Sequence, residues 1–487
     1  MKEFTVKDII KVINGKDFNC ESVMDKELTG VRIDSRKIEK DNVFIATVGE
    51  RVDGHSFVKE VIEEKEAVCA ITQKQMPDAD YPYIVVEDSF LALKQIAEYY
   101  RGLIKAKIVG ITGSVGKTST KEAIFSVVNE AFKATKTIGN LNNQVGLPLS
   151  VLEIKEDTEV AVIEMGISEF GEMTNLAKIA RPDIQVITNI GNCHLEVLGD
   201  RDGVLKAKTE GFPYLQEGAP IILNGDDDKL ITIKDVNGVR PYFYGINDDF
   251  AISAKDISYD MESVSFKMFI SDEIKAMKGF DNNSSNNSEE LDVNINIGGE
   301  HMVYNAMAAA AVGKCLGMSD EDIVKGLSKL KTISGRNNII NTSKWTIIDD
   351  CYNANPMSMK ASVDVLSKAK GRRVAILGDM YELGKNEKEI HKEIGEYLSG
   401  KVDVLICIGS LGREIYNGAI PEMEDLKMIG YFFDTVEEAL EEEKDLDDTK
   451  DLKAIHKNII GILKENDTVL VKASHGLHLE KIVEALK

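Results

Sequence analysis

The plainest chemistry in this chain lies in Ile108–Lys121, IVGITGSVGKTSTK. An apolar run enters Thr112-Gly113-Ser114-Val115-Gly116-Lys117-Thr118-Ser119, and an amphipathic helical pattern follows. Glycines at 113 and 116 let backbone N–H groups turn inward around phosphate oxygens, and the helix N-terminus adds its partial positive charge. In that frame Lys117 reaches the β- and γ-phosphates of a nucleotide, and Thr118 offers a hydroxyl to Mg²⁺. The general pattern G-x-x-x-x-G-K-[ST] is missed by one place, because position 111 is Ile and the nearest glycine is Gly110. The shorter TGxxGKT form carries the reading. Its bland rival is a glycine turn with an incidental Lys-Thr, which the strand–turn–helix context disfavours.

A phosphate loop needs acidic ligands nearby to hold a metal. The run Val160–Ile163 ends in Glu164-Met165-Gly166, which sets a carboxylate at a strand's C-terminal edge. The next strand-like run leads to Gly191-Asn192-Cys193-His194. A lone histidine is usually structural, and hard cations prefer oxygen. Downstream, Ala207-Lys208-Thr209-Glu210 offers a lysine, with Lys206 as its rival. A lysine beside cations is repelled unless its neutral amine takes up CO₂ to become an anionic carbamate, which bare sequence does not reveal.

Holding these groups together calls for α/β layers. Val- and Ile-rich strands alternate with helix-length segments, the pattern of parallel sheets. The 487 residues suggest three domains: a small N-terminal α/β domain (1–106), a central P-loop mononucleotide-binding α/β domain (107–332), and a C-terminal doubly wound, Rossmann-like domain (333–487). The first boundary falls at the polar joint 102–107, after a helix predicted over Ser89–Arg101 and capped by Asp88 or Ser89. Beyond Gly245, the shorter alternating stretches Ala251–Ile270 and Leu291–Ile297 predict antiparallel hairpins around a polar loop tip, KGFDNNSSNNSEE. The acidic run Glu441–Asp451 reads as a solvated helix end and loop.

Composition narrows the classes further. A net charge of −23 argues against a protein that coats nucleic acid. The N-terminus mixes charges into its apolar positions, unlike a targeting segment, and no apolar run approaches a membrane span. The six cysteines, with no CxxC pair, read as free thiols in a reducing, cytoplasmic setting.

In order along the chain, VRIDSRKIEKDNVFIATVGERVDGHSF, GITGSVGKTSTK, TIGNLNNQVGLPLSVL, VIEMGISEFGEM, TNIGNCHLEVLGDRDGVLKAKTE, GGEHMVYNAMAAAAVG, SGR, IIDDCYNANPMSM, VAILGDMYELG and VLVKASHGLHLE resemble the ATP-dependent Mur ligases of peptidoglycan synthesis. The resemblance implies an ATP-dependent amide ligase joining D-alanyl-D-alanine to UDP-N-acetylmuramoyl-tripeptide, as a monomer, without nucleic acid or membrane insertion. It implies that Ser35, Arg36, Asp53 and His55 hold the UDP-sugar peptide and that Asn142 and Asn143 contact the muropeptide. It further implies Thr118 and Glu164 at one Mg²⁺, and His194 with a carbamylated Lys208 at a second. Asn305 would lie on the adenine side, with Arg336 and Asp350 clamping ribose and γ-phosphate. Lys117, Glu164, His194 and Lys208 are thus the expected catalytic set.

Three positions depart from the family pattern: Met302 in place of asparagine, Thr209 in place of glycine, and His475 where an arginine is expected to meet a substrate carboxylate. The His475 departure keeps open a sister ligase with a different amino-acid or acid substrate. A nucleotide-binding protein with a decayed ligase fold is disfavoured, since Lys117, Thr118, Glu164, His194 and Lys208 are all retained.

Overall fold

The computed structural model describes residues 4–49, 51–278, 290–425, 427–441 and 458–487. Three sheets organise the chain. The first runs 16–18, 83–85, 69–72, 42–45, 30–32 in spatial order, parallel except for its antiparallel 16–18 edge. Strands 42–45 and 69–72 are buried throughout, which suits short apolar runs covered on both faces.

The central sheet has nine strands: 291–295, 264–270, 252–259, 242–245, 221–224, 184–187, 107–112, 160–164 and 134–136. From 134–136 through 252–259 all pairings are parallel. The last three strands pair antiparallel, as their alternating apolar pattern predicts, but they extend the same sheet. Strand Lys107–Thr112 sits between 160–164 and 184–187. From it the chain first lays 134–136 and 160–164 on one side and then crosses to 184–187 on the other, so the crevice opens at the C-terminal ends of strands 107–112, 160–164 and 184–187. Thr112, Glu164 and the residues after Ile187 all end there.

The third sheet runs 338–341, 346–349, 468–472, 373–378, 404–408, 429–433, parallel apart from its first strand. Strand Asn338–Asn341 went unforeseen in the sequence; it is a half-buried edge without strong apolar alternation.

The helix predicted over Ser89–Arg101 runs Ser89–Leu103, capped by the Asp88 carboxylate accepting from the Phe90 and Leu91 amides. The expected joint at 102–107 is therefore helical in its first two residues. This helix anchors the first unit to the second. Tyr100 donates to the Ile154 carbonyl at 2.7 Å, and Arg101 donates to Ala180 O and pairs with buried Asp183, which Lys107 also meets. Most of the polar loop tip and of the acidic run lies outside the described residues. All six cysteines are free, five of them buried. Among the described residues, no helix is long and apolar enough to cross a membrane.

Candidate active site

The phosphate loop joins strand Lys107–Thr112 to helix Lys117–Val128. Gly113 takes φ +147°, and a Cβ there would sit 1.9 Å from Thr188 Oγ1, so only glycine fits. Asn189 grips the loop apex from both sides: its Oδ1 accepts from Val115 N at 2.9 Å and its Nδ2 donates to Val115 O at 3.0 Å. Ser114 Oγ accepts from the Gly191 amide at 2.8 Å and from the Cys193 thiol at 3.1 Å. The Lys117 ammonium lies across the loop, donating to Gly113 O at 2.7 Å.

Glu164 is 2% exposed and lies at the loop's edge. It accepts from Thr118 Oγ1 at 3.1 Å and from Asn142 Nδ2 at 2.8 Å, with the buried Lys121 ammonium 3.7 Å away. Among the described residues, no three His, Cys, Asp or Glu side chains cluster as a metal cage. One carboxylate and one hydroxyl beside a phosphate loop suit Mg²⁺, which takes few protein oxygens and fills its shell with phosphate and water.

His194 caps the short helix Leu195–Leu198 in the left-handed region, φ +51°. Its Nδ1 lies 2.6 Å from Glu382 Oε2, on the third unit. Lys208 and Lys206 share the helix Arg201–Thr209 but face opposite ways. Lys206 is exposed and reaches over the Phe170 ring, whereas Lys208 is 2% exposed and has no anionic partner among the described residues. Burial pushes its amine down to about 8, and the Lys117 ammonium pushes the same way. Thr209 turns its hydroxyl back onto Leu205 O.

Helix His301–Cys315 brings Asn305 to the phosphate-loop helix, where its Oδ1 accepts from Thr120 Oγ1 at 2.8 Å. The departure at Met302 is absorbed locally, because its sulfur accepts from Asn305 Nδ2 at 3.4 Å. On the third unit, Asp350 Oδ2 accepts from buried Lys472 at 2.6 Å and from Ser362, while Oδ1 accepts from Asn337 N. Arg336 lies over the Tyr352 ring, 4.4 Å from its centroid, and His475 stacks on the same ring system at 5.7 Å. This face meets the central unit where Asn337 Nδ2 donates to Gly298 O at 3.1 Å.

The remaining sequence candidates are engaged locally. Arg36 pairs with Asp34 through two bonds of 2.9 Å, and Ser35 O accepts from Lys65. Asp53 Oδ1 lies 2.6 Å from His55 Nδ1, while His55 Nε2 accepts from Gln73 N, so both imidazole nitrogens shape the turn. Asn143 Oδ1 accepts the Val145 and Gly146 amides. Among the described residues, no hydrogen bond links Ser35, Arg36, Asp53 or His55 to the phosphate loop.

Sequence reading passed over Asn189, Lys121, Glu382 and Lys472. The visible signal for Asn189 was an amide residue just past an apolar strand, and for Lys472 a lysine closing one.

A glycine-shaped loop at a topological switch point, with Lys117, Thr118 and Glu164 converging on it, defines a nucleotide-phosphate-binding α/β protein. Family models agree with that class: the Mur ligase middle domain matches residues 111–313, the Mur ligase glutamate ligase domain 335–475, and the Mur ligase family catalytic domain 27–101. The chain belongs to the Mur ligase family. It is 37% identical over 488 residues, covering 99% of this chain and 98% of the other, to the UDP-N-acetylmuramoyl-tripeptide–D-alanyl-D-alanine ligase of Bacillus subtilis (strain 168). A crystal structure of MurF from Acinetobacter baumannii superposes with TM-score 0.84 at 30% identity, covering 99% and 98% of the two chains. The MurF ligase of Thermotoga maritima in complex with ADP gives TM-score 0.75 at 28% identity, covering 93% and 96%.

Proposed function

We propose that this chain is an ATP-dependent ligase that joins D-alanyl-D-alanine to UDP-N-acetylmuramoyl-tripeptide in peptidoglycan precursor synthesis. The observation that carries the choice of substrates is the end-to-end match to a ligase of that name, covering 99% of this chain. The units 1–106, 107–332 and 333–487 take the UDP-sugar peptide, the ATP phosphates, and the nucleotide's outer face with the incoming dipeptide, respectively. ATP use and the free thiols suit the cytoplasm.

The tripeptide's terminal carboxylate attacks the γ-phosphorus, the bond to the ADP oxygen breaks, and an acyl phosphate forms. The dipeptide amine then attacks the acyl carbon, loses a proton, and expels phosphate. Two anions must approach in the first step, so the protein's work is positioning and charge neutralisation. Lys117 swings from Gly113 O onto phosphate oxygens. The loop, pinned at Val115 by Asn189, leads into helix Lys117–Val128, whose N-terminal amides and partial positive charge meet the phosphates. Asn142 holds Glu164 while lying next to Asn143, on the muropeptide side. Thr118 and Glu164 would hold one Mg²⁺, and His194 with carbamylated Lys208 a second. When bound, these cations supply further neutralisation of the transferring phosphoryl group.

The test is ADP release from the purified chain with UDP-N-acetylmuramoyl-tripeptide, with and without D-alanyl-D-alanine. Release that depends on the dipeptide, with the pentapeptide product seen by mass, is expected. Dipeptide-independent release, or a preference for a single amino acid, would point to the sister-ligase alternative.

A further inference from the structure

The His194 corner is held from two sides. From the central unit, Ser114 of the phosphate loop bonds Gly191 N and the Cys193 thiol. From the third unit, Glu382 lies 2.6 Å from His194 Nδ1 through its carboxylate, and its carbonyl accepts from Leu195 N at 3.1 Å. Both partners sit in the left-handed region, His194 at φ +51° and Glu382 at +63°. Non-glycine residues take that conformation uncommonly.

The loop that carries Glu382 is itself braced. Met380 N donates to His391 Nε2 at 2.8 Å, and Tyr381 N donates to Ser474 Oγ at 3.0 Å. Gly384, at φ +70°, lets this loop close on Glu196, since a Cβ there would come within 3.3 Å of the Glu196 amide. With the Glu382 side chain 58% exposed, the ion pair adds little to stability. What it does set is the imidazole's hydrogen. A carboxylate can only accept, so the nitrogen that faces it, Nδ1, carries a hydrogen.

We propose that Glu382 is a positioning residue: it fixes the His194 ring and its Nδ1–H tautomer, and it does so only while the third unit's 379–384 loop is docked on the phosphate-loop corner. The inference rests on the proposed function in taking His194 as a site residue. It makes docking of the third unit a condition for a correctly prepared histidine. Such outer partners of a functional histidine typically carry about 10–100-fold in activity or affinity.

The experiment uses the full chain and the variants Glu382→Ala and Glu382→Gln, both of which retain the main-chain bond to Leu195. The ¹⁵N signals of histidine-labelled protein are recorded without substrates, with His194 assigned among the seven histidines by His194→Gln. Wild type is expected to show a single Nδ1–H tautomer at His194. Glu382→Ala is expected to show mixed tautomers, a kcat lower by about 10–100-fold and a KM for ATP within about threefold of wild type. Its melting temperature should be unchanged. Glu382→Gln, whose amide oxygen still accepts, is expected to fall between the two. An unchanged His194 tautomer in Glu382→Ala, or wild-type kcat in that variant, would overturn the inference. A wild-type chain inactive on the tripeptide substrate would instead sink the proposed function, and the tautomer readout would still decide this one.

Discussion

Removing CO₂ from the enzyme should silence it, and the pH dependence of its recovery should identify Lys208. Carbamate formation needs the neutral amine. With the Lys208 amine pulled down to about 8, roughly one molecule in ten is neutral at pH 7, half at pH 8 and about nine in ten at pH 9. An ordinary lysine near 10.4 would offer only about one in 2,500 at pH 7, so burial enriches the reactive form about 200-fold. At fixed dissolved CO₂, recovery should therefore quicken about fivefold from pH 7 to 8 and less than about twofold from 8 to 9. The assay strips the enzyme in CO₂-free buffer, restores CO₂, and follows ADP release, with ¹³C-labelled CO₂ reporting the carbamate by NMR. The Lys208→Ala variant should be nearly inactive and regain turnover with added short carboxylic acids. Recovery that rises tenfold per pH unit through pH 9 would place the reaction on an ordinary exposed lysine. Full activity under strict CO₂ exclusion, with unbranched density at the lysine tip, would refute the reasoning outright. The same shift has a stability sign. A base whose folded pKa is depressed costs stability while protonated, fully so below about 8, and the cost fades as pH rises towards 10.5. Lys208→Met should therefore melt higher than CO₂-stripped wild type at pH 7, by up to about 3 kcal/mol in unfolding free energy, and lose most of that advantage by pH 10.

Lys117→Ala should abolish ATP-dependent turnover while leaving the circular dichroism spectrum and melting temperature near wild type; near-normal kcat would contradict the phosphate-loop assignment. Asn189→Ala removes two hydrogen bonds from Val115, each worth about 1 kcal/mol net, so ATP affinity should weaken by up to about 30-fold in calorimetric titration. Asp183→Ala leaves Arg101 and Lys107 unpaired at the junction of the first two units. Denaturant unfolding should show a loss of about 3–5 kcal/mol, and a loss under 1 kcal/mol would mean that water replaces the carboxylate.

Much of the site's local grammar was legible in the residues. TGSVGKT specifies its own backbone, because positive-φ glycine and a helix N-terminus are short-range properties. The choice between Lys206 and Lys208 was also open to reading: Val204, Ala207 and Lys208 sit at i, i+3 and i+4, one helix face, and all three are buried. The same holds for the helix after Asp88 and for the alternating strands beyond Gly245. Periodicity tells a side chain whether it faces inward. It does not name the neighbour it will find there.

Neighbours came from sheet order and from the docking of units. Asn189 reaches Val115 across 74 positions because strand 184–187 lies beside strand 107–112. Glu382 reaches His194 only because the third unit rests on the second. Polar residues that looked free to meet a ligand, such as His55 and Asn143, were drawn into their own turns, since a half-buried donor or acceptor takes the nearest partner. His475, a departure by residue type alone, shares the Tyr352 ring system with Arg336, so a cation remains at that face. The sequence by itself determined which groups could bind phosphate and where the strands and helices would run, because both follow from backbone geometry over a few residues. Only the tertiary structure decided which carboxylate, amide and imidazole meet at the crevice, because those contacts depend on strand order and domain docking over tens to hundreds of residues.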